Sequence, residues 1–251
     1  MRGMAASLGG AGWDVLGWNY RGCGGIPNRL LRSYHSGETG DVGRVVARAA
    51  RDYGRIALVG FSLGGNMALK YIGEAGRHPA VGAVAAISAP VDLASSARAL
   101  DERRGNRLYL RRFLGTLVAK TVAKAARFPG PLEAARVRRI RSIRAFDEEV
   151  TARLHGFAGA EDYWERASAG PHLAGLEVPS LLLNALNDPL LDAPSFPVEA
   201  AEANRHFFLE APAHGGHVSF HDFRRGVRPW HEGRVVAFLE EQVPGRGDAL
   251  G

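Results

Sequence analysis

The sequence has few of the features that mark secreted, disulfide-bonded or membrane-spanning proteins. Its 251 residues include one cysteine, Cys23, which excludes an internal disulfide. No apolar run approaches the ~18 residues that a membrane-spanning helix needs. The opening stretch, MRGMAASLGGAGWDV, lacks the continuous apolar core of a signal peptide. These absences predict a cytoplasmic location.

Positive charge is concentrated in one part of the chain. The formal net charge is +6, yet residues 98–144 hold fourteen Lys and Arg against three acids. Aromatic residues that would stack on bases are sparse there, so we expect a solvated face and no nucleic-acid binding. A basic helical surface with apolar positions also suits peripheral contact with anionic lipid, which is an expectation to test.

Short apolar runs alternate with amphipathic stretches along most of the chain. The strand-like runs occupy residues 13–19, 55–61, 80–88, 179–186 and 205–212, and helical spacing lies between them. This alternation predicts the α/β class, with a mainly parallel sheet and helices on both of its faces.

The stretch from about 93 to 172 interrupts that alternation. It is basic and largely helical in pattern, with Leu110, Leu114 and Leu117 at helical spacing. An insertion after a strand lies over the carboxyl end of a parallel sheet, where the active sites of such folds are found. The sequence therefore predicts one domain over residues 1–251 with a helical cap inserted at about 93–172.

The segment IALVGFSLGGNMALKYIG carries a serine, Ser62, between Gly60 and Gly64 where a strand pattern gives way to a helix pattern. In a nucleophile elbow the serine adopts a strained conformation in a tight turn, and larger side chains two residues away would collide. The backbone N–H of Leu63 would then lie at a helix N-terminus, where it can stabilise an oxyanion. The alternative is an idle serine in a glycine-rich turn.

A serine hydroxyl needs a general base. Among nine histidines, His217 in APAHGGHVSF follows the last strand-like run and is our choice, with His214 as the alternative. His214, His217 and His221 also have the spacing of metal ligands. No cysteine or carboxylate on a recognisable scaffold accompanies them, so we predict no metal and no cofactor.

The base needs a carboxylate to orient it. Asp188 in LLLNALNDPLL follows a buried strand-like run and is the candidate; Asp92 in ISAPVDL is the second choice. An aspartate beside a proline is also common in plain turns. The three candidates then occur in the chain order Ser62, Asp188, His217.

Taken together, the motifs resemble the YheT-like branch of the α/β-hydrolases. The stretches that carry this resemblance span nearly the whole chain: NYRGCGGIPNRLLRSYHSGETGD, VGFSLGGNMALKYIGE, RFPG, FDEEVTARLHGFAGAEDYW, LLLNALNDPLL and HGGHVSF. The resemblance implies a serine-hydrolase triad at Ser62, Asp188 and His217 and action on acyl esters, lipid-like ones included. Asn187 and Ser219 stand where relatives more usually carry Asp and Gly.

The resemblance also implies strands and a glycine-containing loop ahead of residue 1, with that loop supplying a second oxyanion N–H. We therefore expect the N-terminal strands to be missing, which leaves Leu63 as the identified donor. The predicted function is a serine hydrolase that cleaves carboxylic esters, lipid-like ones included, through a Ser-His-Asp triad and an acyl-enzyme, with a small-molecule acyl ester as its substrate. The alternatives are a truncated or impaired hydrolase-fold protein, and an acyltransferase that uses the same triad.

Overall fold

The computed structural model describes residues 2–74, 76–221 and 229–243. Four strands form one parallel sheet in the order β1-β2-β3-β4. Their bounds are β1 (Ile56–Phe61), β2 (Val81–Ile87), β3 (Ser180–Leu183) and β4 (Phe207–Glu210). The strand predictions near 56, 81, 180 and 207 are confirmed, and the last two strands are shorter than their apolar runs.

Helices precede, connect and follow these strands. They are α1 (Arg2–Gly10), α2 (Thr39–Ala49), α3 (Leu63–Gly73), α4 (Leu93–Glu102), α5 (Arg107–Arg127), α6 (Ala134–Val137), α7 (Ile143–Phe146), α8 (Arg153–His155), α9 (Ala160–Ala167), α10 (Val198–Ala203) and α11 (Trp230–Gln242). A π-helical turn covers Asp147–Ala152, and 3₁₀ turns cover Arg104–Asn106, Gly170–Gly175 and Ala193–Ser195. No helix in these ranges is both long enough and apolar enough to cross a bilayer.

The sheet buries both of its faces, because alternate side chains of each strand point to opposite sides. Val84 and Ala86 pack on one face in a core cluster with side chains from α2 and α3. Ala85 and Ile87 pack on the other face with side chains from α1 and α11. The predicted arrangement of helices on both faces is therefore confirmed.

The chain between β2 and β3 is built from helices and their connections, as the sequence predicts. Leu114 is buried there, and Leu110 and Leu117 pack with it against Val137 and Phe146 of the same segment. These three leucines of α5 thus face the interior of the insertion. We use the word cap for residues 93–172.

The strand predicted for residues 13–19 is wrong. No strand is formed there, and within the described ranges this backbone donates no hydrogen bond to a strand. Trp13 donates its N–H to the carbonyl of Leu8, which closes α1, and Leu16 is 65% exposed. An apolar run becomes a strand only when a neighbouring strand supplies hydrogen-bond partners for its backbone.

Candidate active site

Ser62 lies in the turn between β1 and α3, in a strained conformation. Its φ and ψ are 49° and −118°, in the positive-φ region that non-glycine residues avoid. The turn is held because the Ser62 N–H donates to the carbonyl of Ile87 at 2.8 Å, and the Gly65 N–H donates to the Ser62 carbonyl at 2.9 Å. A strained serine in a tight turn between a strand and a helix is thus found where the sequence motif lies.

The glycines around Ser62 are required by close approaches of the backbone. A Cβ built at Gly60 would collide with the carbonyl of Gly64. At Gly65 it would lie 2.7 Å from the Cβ of Ala89, which is closer than real Cβ atoms approach. The strand and the helix can therefore meet at Ser62 only because these positions carry no side chain.

His217 connects Ser62 to Asp188. Its Nε2 lies 3.0 Å from Ser62 Oγ, and its Nδ1 lies 2.9 Å from Asp188 Oδ2. A carboxylate only accepts hydrogen bonds, so the proton belongs on Nδ1, and Nε2 is left to accept from the serine hydroxyl. The structure thus brings the three predicted side chains into one chain of hydrogen bonds.

Asp188 is held in place by burial and by its own turn after β3. Its side chain has no exposed surface. Its N–H donates to the carbonyl of Ala185 at 3.0 Å, and its Oδ1 accepts the N–H of Leu190 at 2.9 Å. One carboxylate oxygen therefore stabilises the turn, and the other faces His217.

The alternative site residues are engaged elsewhere. Asp92 caps α4, where its Oδ1 accepts the N–H of Ser95 at 2.7 Å. His214 is exposed. His214, His217 and His221 do not form a group able to bind a metal ion in the part of the chain that the structure describes.

Leu63 begins α3, and its N–H has no acceptor among the described residues. The first N–H groups of a helix lack intrahelical partners and carry partial positive charge. This N–H, directly after Ser62, suits the stabilisation of an oxyanion.

Two polar residues beside the triad hold the loop that carries His217. The Oδ1 of Asn187 accepts the N–H groups of Gly215 and Gly216 at 2.9 and 2.8 Å. On the other side, Ser88 Oγ accepts the N–H of Val218 at 3.0 Å. The sequence marks Asn187 as a position where relatives more usually carry Asp, without assigning it this role, and it does not single out Ser88.

A cavity of about 160 Å³ opens between the triad and the cap. Ser62, Leu63 and His217 lie on its sheet side, and Phe113 and Trp164 line it from the cap. The cap therefore contributes apolar surface to the cavity beside Ser62.

The same cavity is lined by a buried carboxyl group, Asp147, that the sequence pattern does not single out. The indole N–H of Trp164 donates to its Oδ2 at 2.8 Å, and the hydroxyl of Thr151 donates to its Oδ1 at 2.7 Å. Burial raises the pKa of Asp147 to about 6 despite these two bonds. No ion pair to Asp147 is formed by any described residue. The residue lies within FDEEVTARLHGFAGAEDYW, a stretch that carries the family resemblance, but the resemblance assigns it no role.

A cluster of metal-ligating side chains, separate from the triad, joins residues 34–38 (YHSGE) to the cap. His35, Glu38 and His155 place one ligand-type atom each within 4.8 Å of one another, the spacing of a group able to hold a metal ion. Burial lowers the pKa of His35 and of His155 to about 4, which leaves both rings neutral at pH 7. The Gly37 N–H donates to His35 Nδ1 at 3.2 Å, and the Arg32 guanidinium lies 3.8 Å from the Glu38 carboxylate. Both contacts compete with a metal.

Comparison with known proteins places this chain in a family. A family model described as the alpha/beta hydrolase fold matches residues 1–223. The provisionally named esterase YheT of Escherichia coli (strain K12) is 37% identical over 213 residues, which cover 83% of this chain and 62% of YheT. A monoacylglycerol lipase of Saccharomyces cerevisiae is 27% identical over 239 residues, which cover 91% of this chain and 52% of the lipase.

The chain therefore spans roughly half to three-fifths of the length of these relatives. A solved structure of the Pyrococcus furiosus esterase PF2001 superposes with a TM-score of 0.59 at 18% identity. The match covers 96% of this chain and 75% of that esterase, and it is a likeness of fold.

Proposed function

This chain belongs to the α/β-hydrolase fold family, within which it is YheT-like, and from that premise we propose that it hydrolyses carboxylic esters with Ser62 as the nucleophile. The observation that carries the proposal is the chain of contacts from Ser62 Oγ through His217 to Asp188, at 3.0 and 2.9 Å. The strained turn at Ser62 supports it, because a strained conformation is retained where function needs it.

In the first half-reaction the Ser62 oxygen attacks the ester carbonyl carbon, and His217 Nε2 takes the hydroxyl proton. The buried Asp188 carboxylate stabilises the imidazolium that forms. The carbonyl oxygen becomes an oxyanion, to which the Leu63 N–H donates. When the intermediate collapses, the ester C–O bond breaks, and the leaving alkoxide takes the proton from His217.

In the second half-reaction a water molecule attacks the acyl-enzyme, and His217 takes its proton. The tetrahedral intermediate releases the carboxylic acid and returns the proton to Ser62. An alcohol in place of water would give a transesterified product, which is the acyltransferase alternative. Product analysis with and without added alcohol separates the two outcomes.

We propose small acyl esters as the substrate class. The cavity beside Ser62 is small and is lined mainly by apolar side chains of the cap, which favours short acyl or alkyl portions. The relatives named esterase and monoacylglycerol lipase act, by those names, on esters, which supports the same class.

Peripheral contact with anionic lipid and a cytoplasmic location remain predictions. Lipid contact is supported by the charge of residues 98–144 and by Leu108, which is 77% exposed at the start of α5. It is weakened because Leu110, Leu114 and Leu117 pack inside the cap. Co-sedimentation with anionic vesicles, reversed by high salt, would support the contact.

Labelling with a fluorophosphonate probe tests the proposed nucleophile. We expect the protein to be labelled, the Ser62→Ala variant to remain unlabelled, and the His217→Ala variant to react far more slowly. His214→Ala is the matched control, because it removes an exposed histidine from the same loop. Labelling of Ser62→Ala would overturn the assignment. A folded wild-type chain that neither reacts nor hydrolyses p-nitrophenyl esters would favour the impaired-hydrolase alternative.

A further inference from the structure

Two buried polar groups on the wall of the catalytic cavity retain capacity for hydrogen bonds that the described residues do not fill. One is the hydroxyl of Ser96 and the other is the carboxyl group of Asp147, and both residues line the cavity with Ser62 and His217. Neither has a role in the triad chemistry derived above.

The hydroxyl of Ser96 has no hydrogen-bond partner among the described residues, although its oxygen is buried. Ser96 lies on α4 and is 7% exposed. The hydroxyl of the preceding residue, Ser95, donates to the carbonyl of Asp92 at 3.1 Å, so the local backbone does offer acceptors to serines. A buried hydroxyl without a partner is destabilising, and its retention on a cavity wall points to a partner within the cavity.

Asp147 has unused capacity to accept hydrogen bonds. Each carboxylate oxygen receives one donor, from Thr151 and from Trp164, whereas a carboxylate offers about four acceptor sites. The residue is 9% exposed, and no described lysine or arginine pairs with it. A donor that enters the cavity would therefore be bound by a carboxylate that no cation of the protein neutralises.

The rest of the cavity wall restricts the kind of group that fits. Leu93, Ala97, Phe113 and Ile143 surround the two polar residues with apolar surface. A cationic group could donate to both residues, but it offers no acceptor for the Ser96 hydroxyl proton. A hydroxyl group both donates and accepts, so it matches a carboxylate and a serine hydroxyl together.

We propose that Ser96 and Asp147 form a polar subsite that binds a hydroxyl function of the ester substrate. A substrate O–H donates to the Asp147 carboxylate, and a substrate hydroxyl oxygen accepts from Ser96. The protein then prefers hydroxylated esters over apolar esters of the same size. This inference rests on the proposed ester hydrolysis and adds the substrate class to it.

Two pairs of nearly isosteric esters test the subsite and locate the hydroxyl. 2-Hydroxyethyl butyrate against propyl butyrate tests a hydroxyl on the alcohol portion. Ethyl 3-hydroxybutyrate against ethyl 3-methylbutyrate tests one on the acyl portion. We expect kcat/KM to favour the hydroxylated member of one pair by about tenfold or more, since a site built to bind a hydroxyl discriminates against analogues without it.

The variants Ser96→Ala and Asp147→Asn should reduce that ratio toward one while hydrolysis of the apolar ester continues. Ser96→Ala removes an unpartnered buried hydroxyl, so its melting temperature should be unchanged or higher even as discrimination is lost. Ser195→Ala is the matched control: its hydroxyl is also buried and unpartnered among the described residues, but it does not line the cavity. We expect the control to leave the ratio unchanged.

The outcomes separate this inference from the proposed function. If the wild type hydrolyses both members of each pair at equal kcat/KM, the subsite is overturned and the esterase proposal stands. If a preference exists but persists in Ser96→Ala, the subsite is also overturned. If no ester of either pair is hydrolysed and the fluorophosphonate does not react, the proposed function fails, and the subsite fails with it.

Discussion

The side-chain oxygen of Asn187 accepts a hydrogen bond from the backbone N–H of Gly216, at 2.8 Å. This bond joins the turn that carries Asp188 to the loop that carries His217. Two residues adjacent in sequence therefore act on the histidine differently. Asp188 contacts its ring directly, and Asn187 fixes the backbone from which the ring projects.

The Asn187→Ala variant should lower kcat by about 10-fold to 100-fold with little change in KM, because the histidine loop loses two hydrogen bonds and the base is less well placed. Asn187→Asp should retain most of the activity, since a carboxylate accepts from the same two N–H groups. Steady-state kinetics on p-nitrophenyl butyrate measures both variants. Equal losses in the two variants would contradict a positioning role for Asn187.

Asp188→Asn should lower kcat by about 10⁴. The amide favours the wrong histidine tautomer, because its N–H₂ group cannot accept the Nδ1 proton. The matched control is Asp92→Asn, because asparagine caps a helix as well as aspartate does. The control should preserve both kcat and melting temperature. If kcat falls severely in Asp92→Asn and only mildly in Asp188→Asn, then Asp92 and not Asp188 is the carboxylate that orients His217.

Local patterns predicted those parts of the molecule that depend on a few neighbouring residues. The turn at Ser62 needs glycine at position 60, which the motif between a strand and a helix identifies, and also at position 65, where a Cβ would lie 2.7 Å from the Cβ of Ala89. Asp188 follows β3 within a turn that its own side chain stabilises. Residues 13–19 were mispredicted because strand formation depends on a pairing partner that no local pattern reveals.

The two polar residues of the proposed subsite, Ser96 and Asp147, could not be predicted from local sequence patterns. Ser96 lies in an ordinary helix segment, and Asp147 lies in a stretch that carries three acidic residues in a row. Their shared position arises because α4 and the π-helical turn both pack against α9. Only the packing of the cap shows that Asp147, and neither of the two glutamates after it, lines the cavity.

The requirement for glycine at position 60 predicts a large loss of stability on adding one methyl group. Gly60→Ala should lower the free energy of unfolding by about 3 kcal/mol or more, because the new Cβ would collide with the backbone of Gly64. Gly115→Ala is the control: Gly115 lies within α5 with no atom near the new Cβ, so the change should stabilise by about 0.5–1 kcal/mol. Urea unfolding measures both. A stable Gly60→Ala would contradict the close approach.

The two neutral histidines of the His35 cluster should make the protein less stable in acid. The folded pKa of each is about 4, below the usual 6.5, so between these values the unfolded chain binds more protons than the folded one. Their contribution to stability is complete above pH 6.5 and is lost as the pH falls toward 4. His155→Phe keeps an aromatic ring against His35. In this variant the slope of the free energy of unfolding against pH should fall by up to about 1.4 kcal/mol per pH unit. Urea unfolding at several pH values between 5 and 7 measures this slope, and an equal slope in His155→Phe and the wild type would contradict the prediction.

Asp147 should affect the pH dependence of stability in the opposite direction to His35 and His155, over an overlapping pH range. Its folded pKa of about 6 lies above the usual 3.8, so here the folded state binds more protons than the unfolded chain. Its contribution to stability is present below pH 3.8 and is lost as the pH rises through 6. Asp147→Asn removes this opposing dependence, so the free energy of unfolding should rise more steeply between pH 4 and 6 than in the wild type. His155→Phe should flatten the same curve. Urea unfolding of the two single variants and of the double variant, at several pH values, tests both predictions. A flatter dependence of the free energy of unfolding on pH in Asp147→Asn would mean that the carboxyl group is already ionised in acid.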